Sequence, residues 1–220
     1  MQALAALLGN IDESVDPEKV LLEKIFKKLI ELVVQDPVVF QLTIDKNRSS
    51  TCWEASHGAI LGLKYIVTIK SDFIFRNDKV FQSVISVVLD GLQNHIEEIQ
   101  SESAALLIPI LDHILPYNKW LTKIVKTIWN ILESIHDDLK SSVNNILNLI
   151  SSLAEYPEVL KLMKDMSSGP MTIQENGDAS HYYSFENLMP KLYPFFRHSI
   201  SNIRKSVLQT FLSFLNIKES

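Results

Sequence analysis

The sequence predicts an all-α protein, a HEAT- or armadillo-like α-solenoid of antiparallel helix pairs, and three observations carry that prediction. First, one helical pattern recurs in one register. With Ile99, Leu139 and Ile203 aligned, the positions eight further on are Leu107, Leu147 and Phe211, and those eleven further on are Ile110, Ile150 and Phe214. The +4 column holds Ser103, Val143 and Val207, and Ala55 begins a fourth copy with Ala59, Leu63 and Ile66 in the same slots. Offsets of 4, 8 and 11 lie on one face of a helix. Second, the copies begin 44, 40 and 64 residues apart, which is HEAT or armadillo spacing once an insertion of about 24 residues is taken from the last gap. Third, nothing in the chain reads as a strand.

Taken in order, residues 1–16 read as a flexible lead, with Met1 to Leu8 a frayed helix end and Asn10 to Asp16 a loose acidic stretch. Pro17 suits a first helical turn, and Val20, Leu21, Ile25, Leu29, Leu32 and Val33 follow at helical spacing. That helix ends near Asp36, and the polar run Asp45 to Ser50 reads as a loop. A helix from about Trp53 to Lys70 carries Gly58 and Gly62 one turn apart, an expected site of close helix approach. Three pairs follow: Lys79 to Gln93 with Glu97 to Leu115, Lys119 to Ile135 with Asp138 to Glu155, and Phe185 to Arg197 with Ser201 to Ile217. Short links within the pairs make their helices antiparallel. Pro109, Pro190 and Pro194 each remove an intrahelical hydrogen bond and are expected to kink the chain. HEAT-like pairs thus occupy 17–155, and a final pair 185–220. Residues 156–184 between them are an insertion loop, because Ser167, Ser168, Gly169, Pro170, Asn176, Gly177 and Asp178 fall there.

Composition narrows the function classes. A net charge of −5 and a pI near 5.7 argue against a protein that embraces the phosphate backbone along its length, and favour a basic protein partner. Cys52 is the only cysteine, so no internal disulfide and no cysteine-based zinc site forms. The longest apolar run, around Ala104 to Leu111, is far short of the roughly 20 residues a membrane span needs. The six glycines make no phosphate-binding loop, and the six histidines never pair at i, i+4. No serine stands in a nucleophile elbow. The expectation is a binding protein with no cofactor, no metal, no membrane contact, no small-molecule substrate and no catalysis of its own.

The candidate binding residues lie at the turns within the pairs: His95, Glu97 and Glu98; His136, Asp137 and Asp138; His198 and Asn202. In a stacked array such turns share one edge, and paired acids at two of them suit a basic partner. The same acids also suit the N-termini of the helices that follow, where an anion is favourable by about 0.3–1 kcal/mol. Trp129 lies among core positions, whereas Trp53 and Trp120 stay open between anchor and core.

Residues Trp53 to Tyr65, WEASHGAILGLKY, resemble the W-E-V-R-H-G-x-L-L-G-I-K-Y signature of the TATA-binding-protein-associated Swi/Snf-type ATPases, also called B-TFIID associated factors. Ile96 to Ile110 and Leu188 to Phe214 resemble two further blocks of that family. In the second, Pro190, Leu192, Pro194, Phe195, His198, Ile200, Arg204, Leu208 and Thr210 stand in matching places. Ser56 and Gln100 replace family arginines and Tyr193 a tryptophan, so the ion pairs of those arginines are absent here. The resemblance implies a segment of the family's N-terminal HEAT array. That array holds TATA-binding protein through its turns, in the nucleus, while a separate motor uses ATP to strip that protein from promoters. Promoter DNA would then be met only indirectly. The motor motifs are missing from these residues, which suggests a fragment or a truncated gene product. Two rivals remain: an importin-like or adaptor HEAT protein binding basic peptides in its groove, and a structural spacer that contacts no partner.

Overall fold

The computed structural model describes residues 2–12, 14–34, 53–134, 143–168 and 185–215, and every regular element among them is helical. They fall into two compact units, Met1–Ile110 and Leu111–Ser220. The division lies beside Pro109, within the stretch expected to be one run of pairs.

The first unit contains α1 (Gln2–Asn10), α2 (Asp16–Val34), α3 (Trp53–Ile69), α4 (Ser71–Phe75), α5 (Asp78–Leu92) and α6 (Glu97–Leu107), closed by a 3-10 turn at Ile108–Ile110. Helix α3 is its centre, packed on α1, α2, α4 and α6, while α5 packs on α2, α4 and α6. The sequence explains why: Ala59, Ile60, Gly62, Leu63, Ile66 and Val67 of α3 are all buried, and they span more than one side of the helix. Each fully buried leucine or isoleucine contributes about 1.5–3 kcal/mol. Asn77 caps α5, its side-chain oxygen accepting from the Lys79 and Val80 amides at 3.1 and 3.4 Å.

Within residues 1–16, expected to be a flexible lead, Gln2–Asn10 is a helix. α1 docks on α3, burying Leu8, and Ile11 beyond it is buried as well. The Lys70 ammonium donates to the Ile11 carbonyl, and Asp12 accepts from the Ser14 hydroxyl and amide at 2.6 and 2.9 Å. Those bonds, the hydroxyl's first, hold the Asp12 carboxyl below the usual carboxylate range. Between α3 and α5 the chain forms α4, a short helix not expected from periodicity. Phe73 meets Phe26 edge-on at 5.6 Å, and Phe75 meets Phe81 at the same distance.

The second unit contains α7 (Leu111–Ile114), α8 (Asn118–Ser134), α9 (Val143–Leu153), α10 (Pro157–Ser168), α11 (Phe185–Leu192), a 3-10 turn at Tyr193–Arg197, and α12 (Ser201–Leu215). α9 packs along α12, and α10 and α11 both pack on α8. The α9–α12 contact is a polar seam in an apolar setting. Ser151 and Ser213 share a hydrogen bond at 3.1 Å, Thr210 donates to the Leu147 carbonyl at 3.2 Å, and Ser206 donates to Asn144 and Asn148 at 2.8 and 2.9 Å. Buried hydroxyls with partners hold the two helices in one register, because a shift by a turn would orphan them.

The expected insertion loop at 156–184 is also corrected in part, since Pro157–Ser168 is a helix with Val159 and Met163 buried against α8. Pro157 sits at a first-turn position, and the polar run that suggested a loop starts only at the helix end. Residues 169–184 lie outside the described residues. At the start of α10 the Tyr156 hydroxyl donates to Asp112 Oδ1 at 2.7 Å. Burial, and then the Asp112 carboxylate, push the phenol up to about 12. A raised phenol favours its neutral form, so its contribution is complete below the ordinary tyrosine range and is lost as pH climbs through about 12. Tyr156→Phe is therefore expected to flatten the alkaline limb of a stability–pH curve measured by urea unfolding between those limits.

The repeat columns hold. Ile99, Ile203, Ser103, Val143, Val207 and Ala59 are buried, as are Leu63, Leu107, Leu147, Ile66, Ile110 and Ile150. Phe211 is half-buried between Phe196, at 5.0 Å, and Tyr193, at 6.0 Å. Ala55 is half-buried, and Leu139 and the side chain of Phe214 lie outside the described residues. Pro109 sits in the 3-10 turn that ends α6, Pro190 lies inside α11, and Pro194 opens the second 3-10 turn. Each unit is thus built by stacking helices in the HEAT or armadillo manner. No helix among the described residues is long and apolar enough to cross a membrane.

Candidate partner-binding turns

The turn between α5 and α6 is held by residues that sequence reasoning passed over. Asn94 Oδ1 accepts from the Ile96 amide at 2.9 Å, an Asx turn, and Gln100 reaches back from α6 to donate to the Leu92 carbonyl at 3.1 Å and the Asn94 carbonyl at 3.5 Å. Ile96 is the N-cap residue and makes no side-chain capping bond. Glu97 and Glu98 occupy the first turn, where the helix dipole favours them. Glu97 is half-buried, whereas Glu98 and His95 are exposed. The turn is thus fixed by Asn94 and Gln100, which leaves Glu98 and His95 facing solvent. Asparagine at a turn is a legible signal; the long-range reach of Gln100 is not.

The turn before α12 is built differently. His198 is expected at a partner surface, but it is only 2% exposed. Its Nδ1 accepts from the Ile200 amide at 3.1 Å, its own amide donates to the Phe195 carbonyl at 3.2 Å, and Arg204 donates to the His198 and Ser199 carbonyls. The ring is a buried brace, since turning outward would break the Ile200 bond. Asn202 is exposed in the first turn of α12. His136, Asp137 and Asp138 lie outside the described residues.

Each departure from the family signature has its own local contact. Ser56 donates to the Leu32 carbonyl of α2 at 3.3 Å, Gln100 ties the turn, and Tyr193 stacks on Phe211 at an 18° interplanar angle. Trp53 is half-buried with its ring centroid 6.1 Å from that of His57, Trp120 is half-buried, and Trp129 is in the core.

Among the described residues, no group of histidine, cysteine and acidic side chains is placed to hold a metal ion. A cleft among α8, α9, α10 and α11, lined by Val125, Trp129, Leu153, Val159, Met163 and Leu188, has a volume of about 20 Å³. Small-molecule sites run to roughly 300–1,000 Å³, so this is a packing gap rather than a ligand site.

No family model matches the chain. It is 37% identical over 219 residues to TATA-binding protein-associated factor MOT1 of Saccharomyces cerevisiae, an alignment covering 99% of this chain and 11% of that protein. It is 33% identical over 173 residues to TATA-binding protein-associated factor mot1 of Schizosaccharomyces pombe, covering 78% of this chain and 8% of that one. It is 29% identical over 168 residues to human TATA-binding protein-associated factor 172, covering 76% and 8%. Among solved structures, an engineered protein aligns at 14% identity and a TM-score of 0.40, covering 98% of this chain and 97% of its own. A designed armadillo repeat protein aligns at 14% identity and 0.36, covering 96% and 99%. The fold rests on the helix packing described above. By sequence, the chain is a homologue of one segment, about a tenth of the whole, of the TATA-binding protein-associated factors.

Proposed function

We propose that this chain is a HEAT-repeat scaffold segment of a nuclear transcription regulator and that it binds TATA-binding protein through turns between its helices. The alignment with MOT1 across 99% of the chain carries the reading. The turn at His95 to Glu98 supplies its surface: a short acidic bend pinned by Asn94 and Gln100 loses little conformational freedom when a partner docks. Glu98 and His95 are the contacts in the first unit, with Glu97 at the edge, and Asn202 is the contact at the turn before α12. His198 supports that turn from within. Asp137 and Asp138 complete the acidic set by sequence. In longer proteins of this kind the segment would position TATA-binding protein for a motor, encoded elsewhere, that removes it from promoter DNA using ATP. The segment itself would carry no catalytic step.

A pull-down of TATA-binding protein by the 220-residue chain, across a salt series, tests this. Joint reversal of Glu97, Glu98, Asp137 and Asp138 to lysine is expected to weaken capture about tenfold and to flatten its salt dependence, since steering by opposite charge is lost. Capture unchanged by the reversal would reject the acidic turns as the contact. Failure of the unaltered chain to capture the protein at all would reject the partner.

A further inference from the structure

Within each unit, one copy of the repeat meets the next through the same slots. Slots are counted from Ala55 for α3, Ile99 for α6, Leu139 for α9 and Ile203 for α12. The +9 residue of α3, Lys64, pairs with the +3 residue of α6, Glu102, at 3.2 Å. The +9 residue of α9, Asn148, accepts from the +3 residue of α12, Ser206, at 2.9 Å. Around it, Asn144 at +5, Leu147 at +8 and Ser151 at +12 bond to Ser206, Thr210 and Ser213 at +3, +7 and +10 of α12. Slots +5, +8, +9 and +12 form one helix face, and +3, +7 and +10 another. The first is an outgoing face and the second an incoming one.

On α12 the outgoing face is Leu208, Phe211, Leu212 and Leu215. Where a successor helix is present, these slots are covered: Ile60, Leu63 and Val67 of α3 and Leu147 and Ser151 of α9 are buried, and Lys64, Asn144 and Asn148 are half-buried. On α12, Leu208, Leu212 and Leu215 are 52%, 51% and 74% exposed, and Tyr193, stacked on Phe211, is 55% exposed. A terminal repeat stays in solution by carrying a polar outer face, and this face is apolar.

We propose that the Leu208, Phe211, Leu212 and Leu215 face docks a helix of another repeat of the same kind, carried by a longer chain and apolar at its +3, +7 and +10 slots. Continuity with the α3–α6 and α9–α12 contacts carries the proposal, which is independent of the partner proposed above. The apolar requirement follows from the side chains. Lys64 meets an acid and Asn148 a hydroxyl, whereas a polar group buried against these leucines would have no hydrogen-bond partner. A second copy of this chain is the weaker fit, because its incoming faces are already taken. Glu102 of α6 is bonded to Lys64, Ile146 and Leu149 of α9 are buried, Gly62 of α3 is met by Leu29 and Leu4, and α12 is engaged with α9. The alignment covers 11% of MOT1, so proteins of this kind hold ample chain to supply the helix.

A chimera in which this chain replaces the 219 aligned residues of full-length S. cerevisiae MOT1 tests the proposal against the 220-residue chain alone. Hydroxyl-radical footprinting of Leu208, Leu212 and Leu215 is expected to slow about fivefold in the chimera, as exposure of at least half falls to that of a core leucine. Leu63 and Leu147 are buried and should stay unreactive in both, which reports that both are folded. If Leu147 reacts in the chimera, the same footprint is read in unaltered MOT1 at the positions aligned with the three leucines. A photoreactive phenylalanine analogue in place of Leu212 of the chimera is expected to cross-link to MOT1 chain outside the 220 residues. Equal reactivity of the three leucines with and without the longer chain would overturn the proposal. So would protection that grows with concentration of the 220-residue chain alone, which marks a second copy, or cross-links only to added TATA-binding protein.

Discussion

Leu63→Ala, Leu107→Ala and Leu147→Ala are each expected to destabilise the chain by about 2–5 kcal/mol, measured by urea unfolding. These leucines hold the +8 slot of the repeat, and each is fully buried. Truncation loses the transfer free energy of three carbons and leaves a cavity. Its walls are helices held by their own packing, so they close the gap only in part. Leu208→Ala and Leu212→Ala provide the contrast. Both lie on α12 at 52% and 51% exposure, so truncation should cost no more than about 0.5 kcal/mol. Because the two units can unfold in separate transitions, Leu63 and Leu107 should move one and Leu147 the other. A loss at Leu208 as large as that at Leu147 would contradict the facing assigned to these helices.

Gly91→Ala and Gly58→Ala are expected to shift stability in opposite directions. Gly91 lies where α5 meets α6, and a Cβ there would overlap Ser103 Oγ, 3.2 Å from Ser103 Cβ and 3.3 Å from Ile60 Cδ1. Ser103 has little freedom to yield, since it is fully buried and its hydroxyl donates to the Ile99 carbonyl at 2.7 Å. Overpacking of this kind costs about 1–3 kcal/mol, which exceeds the roughly 1 kcal/mol that alanine gains over glycine in a helix. Nothing lies within 4 Å of a Cβ at Gly58, so there the helix preference acts alone and stability should rise by about 0.5–1 kcal/mol. Gly62 is intermediate, with flexible Leu29 and Leu4 methyls at 2.9 and 3.2 Å. A double variant Gly91→Ala with Ser103→Ala should recover part of the Gly91 loss in thermal unfolding. A fully additive pair would mean the two residues do not meet.

These glycines also divide what is readable in a sequence from what is not. Gly58 and Gly62 look alike on one helix face, yet only Gly62 is approached by a neighbour. Gly91, the tightest of the three, has no pattern around it that marks it. Among the turn residues, Glu98, His95 and Asn202 stand exposed as their positions between helices suggest. His198 looks equivalent to His95 in spacing and is buried instead, because its ring nitrogen finds the Ile200 amide and the turn closes over it.

The sequence by itself determined the helical class, the repeat spacing and the apolar columns, because periodicity is a property of the chain along its own axis and hydrophobic burial enforces it on every copy. Only the tertiary structure decided which faces meet. The docking of α1 on α3, the helix at Pro157–Ser168 within an expected loop, and the braces supplied by Gln100 and Arg204 depend on contacts across the fold. A local pattern specifies that a face must be covered, and the covering partner is selected by shape and hydrogen bonding at a distance along the chain that no window of sequence contains.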